Sequence, residues 1–212
     1  ALQLAAATDP LTGLWNRHRF GEWVRNQIPA ITEKAMRAGS SDPTDVIVCA
    51  IDLDHFKSIN DRHGHAAGDV VLKAIARRLQ GIKRENDLIF RFGGEEFIYL
   101  ALNRHRDEGD KIARRIVEEL RQTSVELDGG VRIDPAASAG WSVYPFYRER
   151  AELFSMDFVI GVADRALYLA KEKGRNCSFG YLPNLAVDEI DRTQANWRTQ
   201  VFDRHPDLLK QI

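Results

Sequence analysis

The chain is poor in cysteine. Only Cys49 and Cys177 occur, far apart, and neither stands in a Cys-x-x-Cys or metal-ligand spacing. That excludes a disulfide scaffold and a zinc knuckle, and both read as plain reduced residues suited to a reducing compartment such as the cytoplasm. Long apolar runs are also lacking: none approaches the roughly 18 residues needed to cross a bilayer. Residues 1–8, ALQLAAAT, have no basic n-region and are not a secretory signal. They read as the end of a linker helix continuing from a preceding region, and any membrane attachment is expected only through such a region. Charge of one sign does not dominate. The formal net charge is −1, so no global basic field recruits nucleic acid or an anionic membrane, and a small polyanion would need a local charge cluster. Internal repeats and low-complexity segments are not found.

What is present fits one domain with appendages. The 212 residues are 44% hydrophobic and 29% charged, as in a soluble globular protein. Residues 16–38 read as a helix with Phe20, Val24, Ile28 and Ile31 on its apolar face, and Pro29 is expected to kink or break it. Residues 38–44 carry loop chemistry. Val46–Ile51 is a continuous apolar run and reads as a buried strand. A helix follows over Asp69–Leu79, with Val71, Ile75 and Leu79 on one stripe. Strands are expected at Leu88–Phe92 and Phe97–Leu102, joined by a hairpin turn at Gly93-Gly94-Glu95-Glu96. Asp110–Leu120 is amphipathic, Val125–Leu127 and Val131–Ile133 flank a second hairpin turn, and Ala137–Tyr144 is a strand ended by Pro145. Phe158–Lys173 is a helix closed by Gly174. Residues 183–212 read as a polar, weakly helical tail. Mixed helices and hairpins predict an α+β fold, an antiparallel-rich central sheet flanked by helices.

Three stretches carry chemistry. The first is Asp52-Leu-Asp-His-Phe-Lys57, directly after the buried strand. Carboxylates beside apolar sequence are costly unless a cation neutralises them, although a solvated strand-to-helix turn is the plainer reading. An EF-hand loop is excluded, because Phe56 occupies a ligand position and Lys57 the place of the required glycine. The second is the diglycine turn. Gly93 and Gly94 allow close approach of a ligand to the backbone, and Glu95 and Glu96 place two repelling carboxylates together. If Asp52 and Glu95 lie on neighbouring strands, they can share hard cations, with magnesium the natural choice. The third is Lys171-Glu-Lys-Gly-Arg175-Asn176 at a helix C-terminus. Cations there offset the helix dipole, or they are aimed at a triphosphate; the sequence supports both.

Together these stretches resemble the GGDEF family of diguanylate cyclases. The resemblance begins with Asp9-Pro-Leu-Thr-Gly-Leu-Trp-Asn-Arg17 and continues through Asp52-x-Asp-x-Phe-Lys-x-x-Asn-Asp-x-x-Gly-His-x-x-Gly-Asp69. Then come Arg91-Phe-Gly-Gly-Glu-Glu-Phe97, Ser138-Ala-Gly140, Ala163-Asp-x-Ala-Leu-Tyr168 and Lys171-x-x-x-Arg175-Asn176. The implied organisation is a linker-helix end at 1–8, the cyclase domain at 9–180 and a partly helical tail at 181–212. His18 replaces the family's usual second arginine, and segments 38–45 and 145–157 are longer than typical.

The resemblance implies a sheet like the palm of polymerases and nucleotidyl cyclases, with a ferredoxin-like core. It implies magnesium, with manganese as the alternative, held by Asp52, the Leu53 carbonyl, Glu95 and Glu96. Glu95 is also the family's usual candidate for activating the 3′-hydroxyl, with Glu96 beside it in the catalytic pair. Phosphates would meet Lys57, Lys171, Arg175 and backbone N–H groups around His55 and Phe56. Guanine would be read by Asn60 and Asp69 with His65 alongside, while Gly93 and Gly94 let the nucleotide lie against the hairpin. Two GTP would become one cyclic di-GMP across a homodimer, and the product would inhibit at an RxxD site formed by Arg84 and Asp87. A degenerate, non-catalytic sensor of cyclic di-GMP is disfavoured by the intact turn and Asp52, as is a scaffold acting through protein contacts alone.

Overall fold

The computed structural model describes residues 7–38 and 42–183, and the backbone of 209–211. Strand β2 (Asp45–Leu53) is the centre of the molecule, and all nine of its residues are buried. Its alternation sorts the core into two layers. Ile47, Cys49, Ile51 and Leu53 join one apolar cluster, with helices α3 (His65–Ile82) and α4 (Gly109–Arg121). Val46, Val48 and Ala50 join the other, with α1 (Arg17–Arg37) and α5 (Met156–Glu172). A strand covered on both faces reads as a continuous apolar run, which is why this segment is so legible.

Around β2 the sheet runs β1 (Trp15–Asn16), β3 (Leu88–Gly93), β4 (Glu96–Arg104), β2, β7 (Ala137–Tyr144), β8 (Ser178–Pro183) and β9 (Leu209–Gln211). Pairs β3–β4, β4–β2, β2–β7 and β8–β9 are antiparallel, whereas β1–β3 and β7–β8 are parallel. Strands β5 (Val125–Glu126) and β6 (Arg132–Ile133) form a separate hairpin. The expected α+β, antiparallel-rich architecture is therefore the observed one.

Some boundaries differ. Pro29 lies inside α1 without ending it; the helix runs 21 residues, begun by the Asn16 side chain accepting from the Arg19 N–H. The expected helix at 69–79 starts earlier, at His65, and a separate helix α2 (Phe56–His63) precedes it, the two meeting at Gly64 with φ +82°. Strands β1 and β8 were not expected; both are short and weakly patterned. The loop expectation at 38–44 falls partly on residues 39–41, outside the described residues. The linker-helix expectation likewise falls mostly outside, although Ala7 is helical and Thr8 bridges to Trp15. Of the partly helical tail expected at 181–212, residues 181–183 belong to β8 and Leu209–Gln211 is a strand, not helix, while the rest lies outside the described residues.

The segment after β7 packs Phe146, Tyr147 and Phe154 against Phe158 of α5, with ring centroids 4.5–5.6 Å apart. It is pinned by Arg148, which donates to Asp45 at 2.9 and 2.8 Å; Arg106 donates to the same fully buried carboxylate at 3.2 and 3.3 Å. Two guanidiniums make the burial of one charge tolerable. Among the described residues, no helix is long and apolar enough to cross a membrane.

Candidate active site

The site gathers at the ends of β2 and β4, where the apolar alternation gives way to carboxylates. Asp52 follows Val48 and Ala50 on the face toward α5, and its neighbour on β4 is Glu96, directly opposite. The residue facing Asp52 across the strands is Glu96, and Glu95 sits in the turn itself rather than on the neighbouring strand, with both carboxylates acting on Asp52. The reason is geometric. The turn closes with Gly93 opposite Glu96, leaving Gly94 and Glu95 as its two free residues. Gly94 has φ +48°, a left-handed conformation that glycine adopts without cost. Arg91 holds the turn from below, donating to the Gly94 carbonyl at 3.1 and 2.8 Å and to Asp9 at 2.9 Å.

Lys171, in the last turn of α5, places its ammonium 2.7 Å from Asp52. Burial pushes the Asp52 carboxyl above its usual range, the Lys171 contact pulls it down, and Glu95 and Glu96 add to the rise. Asp52, Glu96 and Lys171 line one cavity of about 420 Å³, together with Arg17, Asp164 and Tyr168. Asp164 stands two helical turns before Lys171 on α5. Partial burial and then Glu96 raise its carboxyl, against the pull of Lys171. Asp164 and Arg17 lie within the motif stretches, but their residue types alone mark no role there. The i, i+7 spacing of Asp164 and Lys171 was the signal that could have placed Asp164 there.

Leu53 ends β2, and His55 turns the chain in the left-handed region, φ 57°, into α2. No side chain caps α2, so the Phe56 and Lys57 N–H groups are open to an outside acceptor, while the Ser58 N–H donates to the His55 carbonyl at 2.9 Å. The Phe56 ring is buried in the core while His55 and Lys57 are exposed, so Phe56 can serve a ligand only through its backbone. Asn60 lies against Gly68: a Cβ there would sit 2.0 Å from Asn60 Oδ1, so a larger residue would displace the Asn60 side chain. Asp69 is the next residue, and both it and His65 are exposed on α3. Arg175 is exposed on a turn beyond α5 whose N–H groups bind back, Arg175 to the Ala170 carbonyl at 3.0 Å.

Arg84 and Asp87 lie at the far end of β3, separated from the turn by that six-residue strand. They differ in exposure. Arg84 is exposed, but Asp87 is 2% exposed and its carboxylate accepts from Tyr99 Oη at 2.7 Å, Arg104 at 2.8 Å, the Arg84 N–H at 3.1 Å and the Leu102 N–H at 3.3 Å. Asp87 thus shapes the turn that presents Arg84, and its oxygens are already satisfied within the protein.

The sheet, of palm type, thus brings acidic strand ends and a basic helix end to one cavity, with an uncapped helix start just after β2. Residues 6–177 match the family described as diguanylate cyclase, GGDEF domain. Diguanylate cyclase A of Treponema denticola is 35% identical over 169 residues, covering 80% of this chain and 43% of that protein. Diguanylate cyclase DgcP of Pseudomonas aeruginosa is 37% identical over 174 residues, covering 81% and 23%. The crystal structure of the GGDEF domain of DgcB from Caulobacter crescentus in complex with c-di-GMP matches with a TM-score of 0.68 at 26% identity, over 82% of this chain and 92% of that one. The chain belongs to the GGDEF diguanylate cyclase family. It spans less than half the length of these curated relatives.

Proposed function

We propose that this domain condenses two GTP into cyclic di-GMP and two pyrophosphate. The observation that carries the reading is the juxtaposition of Asp52, Glu96 and Lys171 at the ends of two adjacent strands. Among the described residues no cluster of three metal-ligating side chains occurs. The donor set nevertheless suits magnesium, or manganese in its place, which takes one or two carboxylates and completes its shell with phosphate oxygens and water. The Lys171 ammonium on Asp52 marks the position as one that wants positive charge. Asp52, Glu96 and Glu95 would hold the ion, with the Leu53 carbonyl beside them; once bound, it neutralises charge developing on the reacting phosphate and the leaving pyrophosphate.

The protein's own groups do the rest. First-turn N–H groups of α2, Lys57, Lys171 and Arg175 bind and orient the triphosphate. Asn60 and Asp69 accept and donate along the guanine edge, with His65 at the rim, and Gly93 and Gly94 let the nucleotide lie close to the hairpin. In each half-reaction the 3′-oxygen of one GTP forms a bond to the α-phosphorus of the other, its proton passes to a carboxylate or water, and pyrophosphate departs. One site holds one GTP, so two protomers face each other about a two-fold axis. Product inhibition is assigned to the turn of Arg84, with Asp87 shaping it. The domain works in the cytoplasm, where GTP is found. The DgcB complex with c-di-GMP supports the nucleotide class.

The test is incubation with GTP and magnesium, with products separated by chromatography. Cyclic di-GMP is expected from the parent chain. Asp52→Asn, Glu96→Gln and Glu95→Gln should each lower turnover by about 10²–10³ while remaining folded. Nucleotide binding without product from the parent would favour a sensor, and near-normal turnover by a variant would remove that residue from the site.

A further inference from the structure

We propose that Asp54 is a positioning residue: it clamps the turn Gly174–Asn176 to the end of β2 so that Lys171 and Arg175 face the triphosphate. The inference rests on the GTP reading above. Asp54 belongs to the Asp-x-Asp pair, yet it is not placed as a metal donor. It is 5% exposed and both oxygens are occupied. Oδ1 accepts from the Ser138 hydroxyl at 2.8 Å, and Oδ2 accepts from the Asn176 N–H at 2.9 Å. The Ser138 oxygen accepts from the same N–H at 3.2 Å, closing a three-membered network.

The turn needs such a clamp. Gly174, Arg175 and Asn176 have φ values of +113°, +65° and +51°, and two of the three are not glycine. Successive left-handed residues persist only where the surroundings over-determine them. Four bonds do so here: Arg175 N–H to the Ala170 carbonyl at 3.0 Å, the two bonds from the Asn176 N–H, and Ala139 N–H to the Cys177 carbonyl at 3.0 Å. Downstream, the chain enters β8 beside β7, with Ser178 opposite Ala139. Asp54 is two residues past Asp52, so one strand end holds both the site carboxylate and the anchor of the basic turn. Three motif fragments left without a role in the chemistry, Asp54, Ser138 and Asn176, meet at this point.

A purely structural role and a positioning role separate in a double-mutant cycle on GTP turnover, using the full chain. Asp54→Ala and Ser138→Ala are each combined with Arg175→Ala, and melting temperatures are recorded. If Asp54 acts through Arg175, Asp54→Ala lowers kcat/KM by about tenfold to a hundredfold, mainly through KM, in the parent. It then costs little more in the Arg175→Ala background. Ser138→Ala keeps the Asp54–Asn176 bond and gives a smaller loss of the same kind should Asp54→Ala fail to fold. Asp54→Asn restores most activity, because its carbonyl still accepts from Asn176 and its amide donates to Ser138. Multiplicative losses in the cycle, or no recovery with Asn in a folded variant, overturn the positioning role while leaving the cyclase reading intact. Absence of product from the parent chain overturns both.

Discussion

Gly140→Ala is the most demanding test of how α5 is seated. Gly140 lies mid-strand on β7, where the bare Cα touches helix backbone. A Cβ there would stand 2.0 Å from the Ala163 carbonyl oxygen, 2.1 Å from the Leu167 nitrogen and 2.7 Å from its Cα. Ordinary contact begins near 3.4 Å, so helix or strand must give by about 1.4 Å. None of these atoms is the end of a flexible side chain, so the strain has no local outlet. Overpacking of this kind costs about 1–3 kcal/mol, which for a domain of this size lowers Tm by roughly 2–4 °C per kcal/mol. The functional loss should be larger. Ala163 and Leu167 flank Asp164, and Lys171 lies one turn beyond, so the same displacement acts on the 2.7 Å contact with Asp52. A misplacement of about 1 Å at a reacting centre can cost ~10²-fold in rate. Gly161→Ala is the control: it lies on the same helix, meets nothing within 4 Å and has no left-handed φ. It should leave turnover unchanged and add up to about 1 kcal/mol of stability. Thermal melts and GTP turnover of the two variants side by side decide the matter. Equal behaviour of the pair would refute the close approach of β7 and α5.

Three further outcomes follow from the site. Asp69→Ala should raise KM for GTP strongly and erode discrimination against ATP, since a site built to pair polar groups rejects a base that leaves them unpaired; cyclisation of ATP as readily as GTP by the parent would refute the assignment of Asn60 and Asp69. Arg84→Ala should leave initial turnover intact, raise product yield and weaken cyclic di-GMP binding, and unchanged affinity by calorimetry would remove Arg84 from the inhibitory site. Burial raises the Asp9 carboxyl, but hydrogen bonds from Thr12 and Arg91 outweigh it and leave it below its usual range. Its stabilisation is therefore present above the usual aspartate range and lost as pH falls through the lowered value. Asp9→Ala should cost about 1 kcal/mol at pH 7, discounted for partial exposure, and the gap in urea melts should close in acid; a gap independent of pH would refute it.

Much of this was legible in the residues. The apolar run of β2 and the 3.6-residue stripes of α3 and α4 place those elements because one period dominates each. The diglycine turn declared itself through its backbone requirement. Strands β1 and β8 were not legible, since two-residue and partly buried strands leave no alternation to read. Strand parity places Glu96 opposite Asp52, since Glu96 alternates with Ile98 and Leu100 as Asp52 does with Ala50 and Val48, while Glu95 stays in the turn. The burial of Asp87 was not legible for another reason. A polar stretch, Arg-Glu-Asn-Asp, looks solvent-facing, and only the fold shows that Tyr99 and Arg104 come from β4 to meet its carboxylate. Asp54 likewise depends on partners 84 and 122 positions away, beyond the reach of local pattern.

The two buried carboxylates of β2 act as a vernier for strand register. Asp45 meets Arg106 and Arg148 at one end, and Asp52 meets Lys171 at the other. Slippage by one residue would swap the two apolar layers and carry Asp45 and Asp52 to the opposite faces, away from their cations. Slippage by two would keep the faces but carry both carboxylates roughly 7 Å from their cations. Because β2 is apolar on both faces, its apolar pattern sets register only weakly, and the charged ends forbid odd and even shifts alike. The segment carrying Arg148, at the opposite end of the strand from Asp52, thus helps to fix where Asp52 and Glu96 meet.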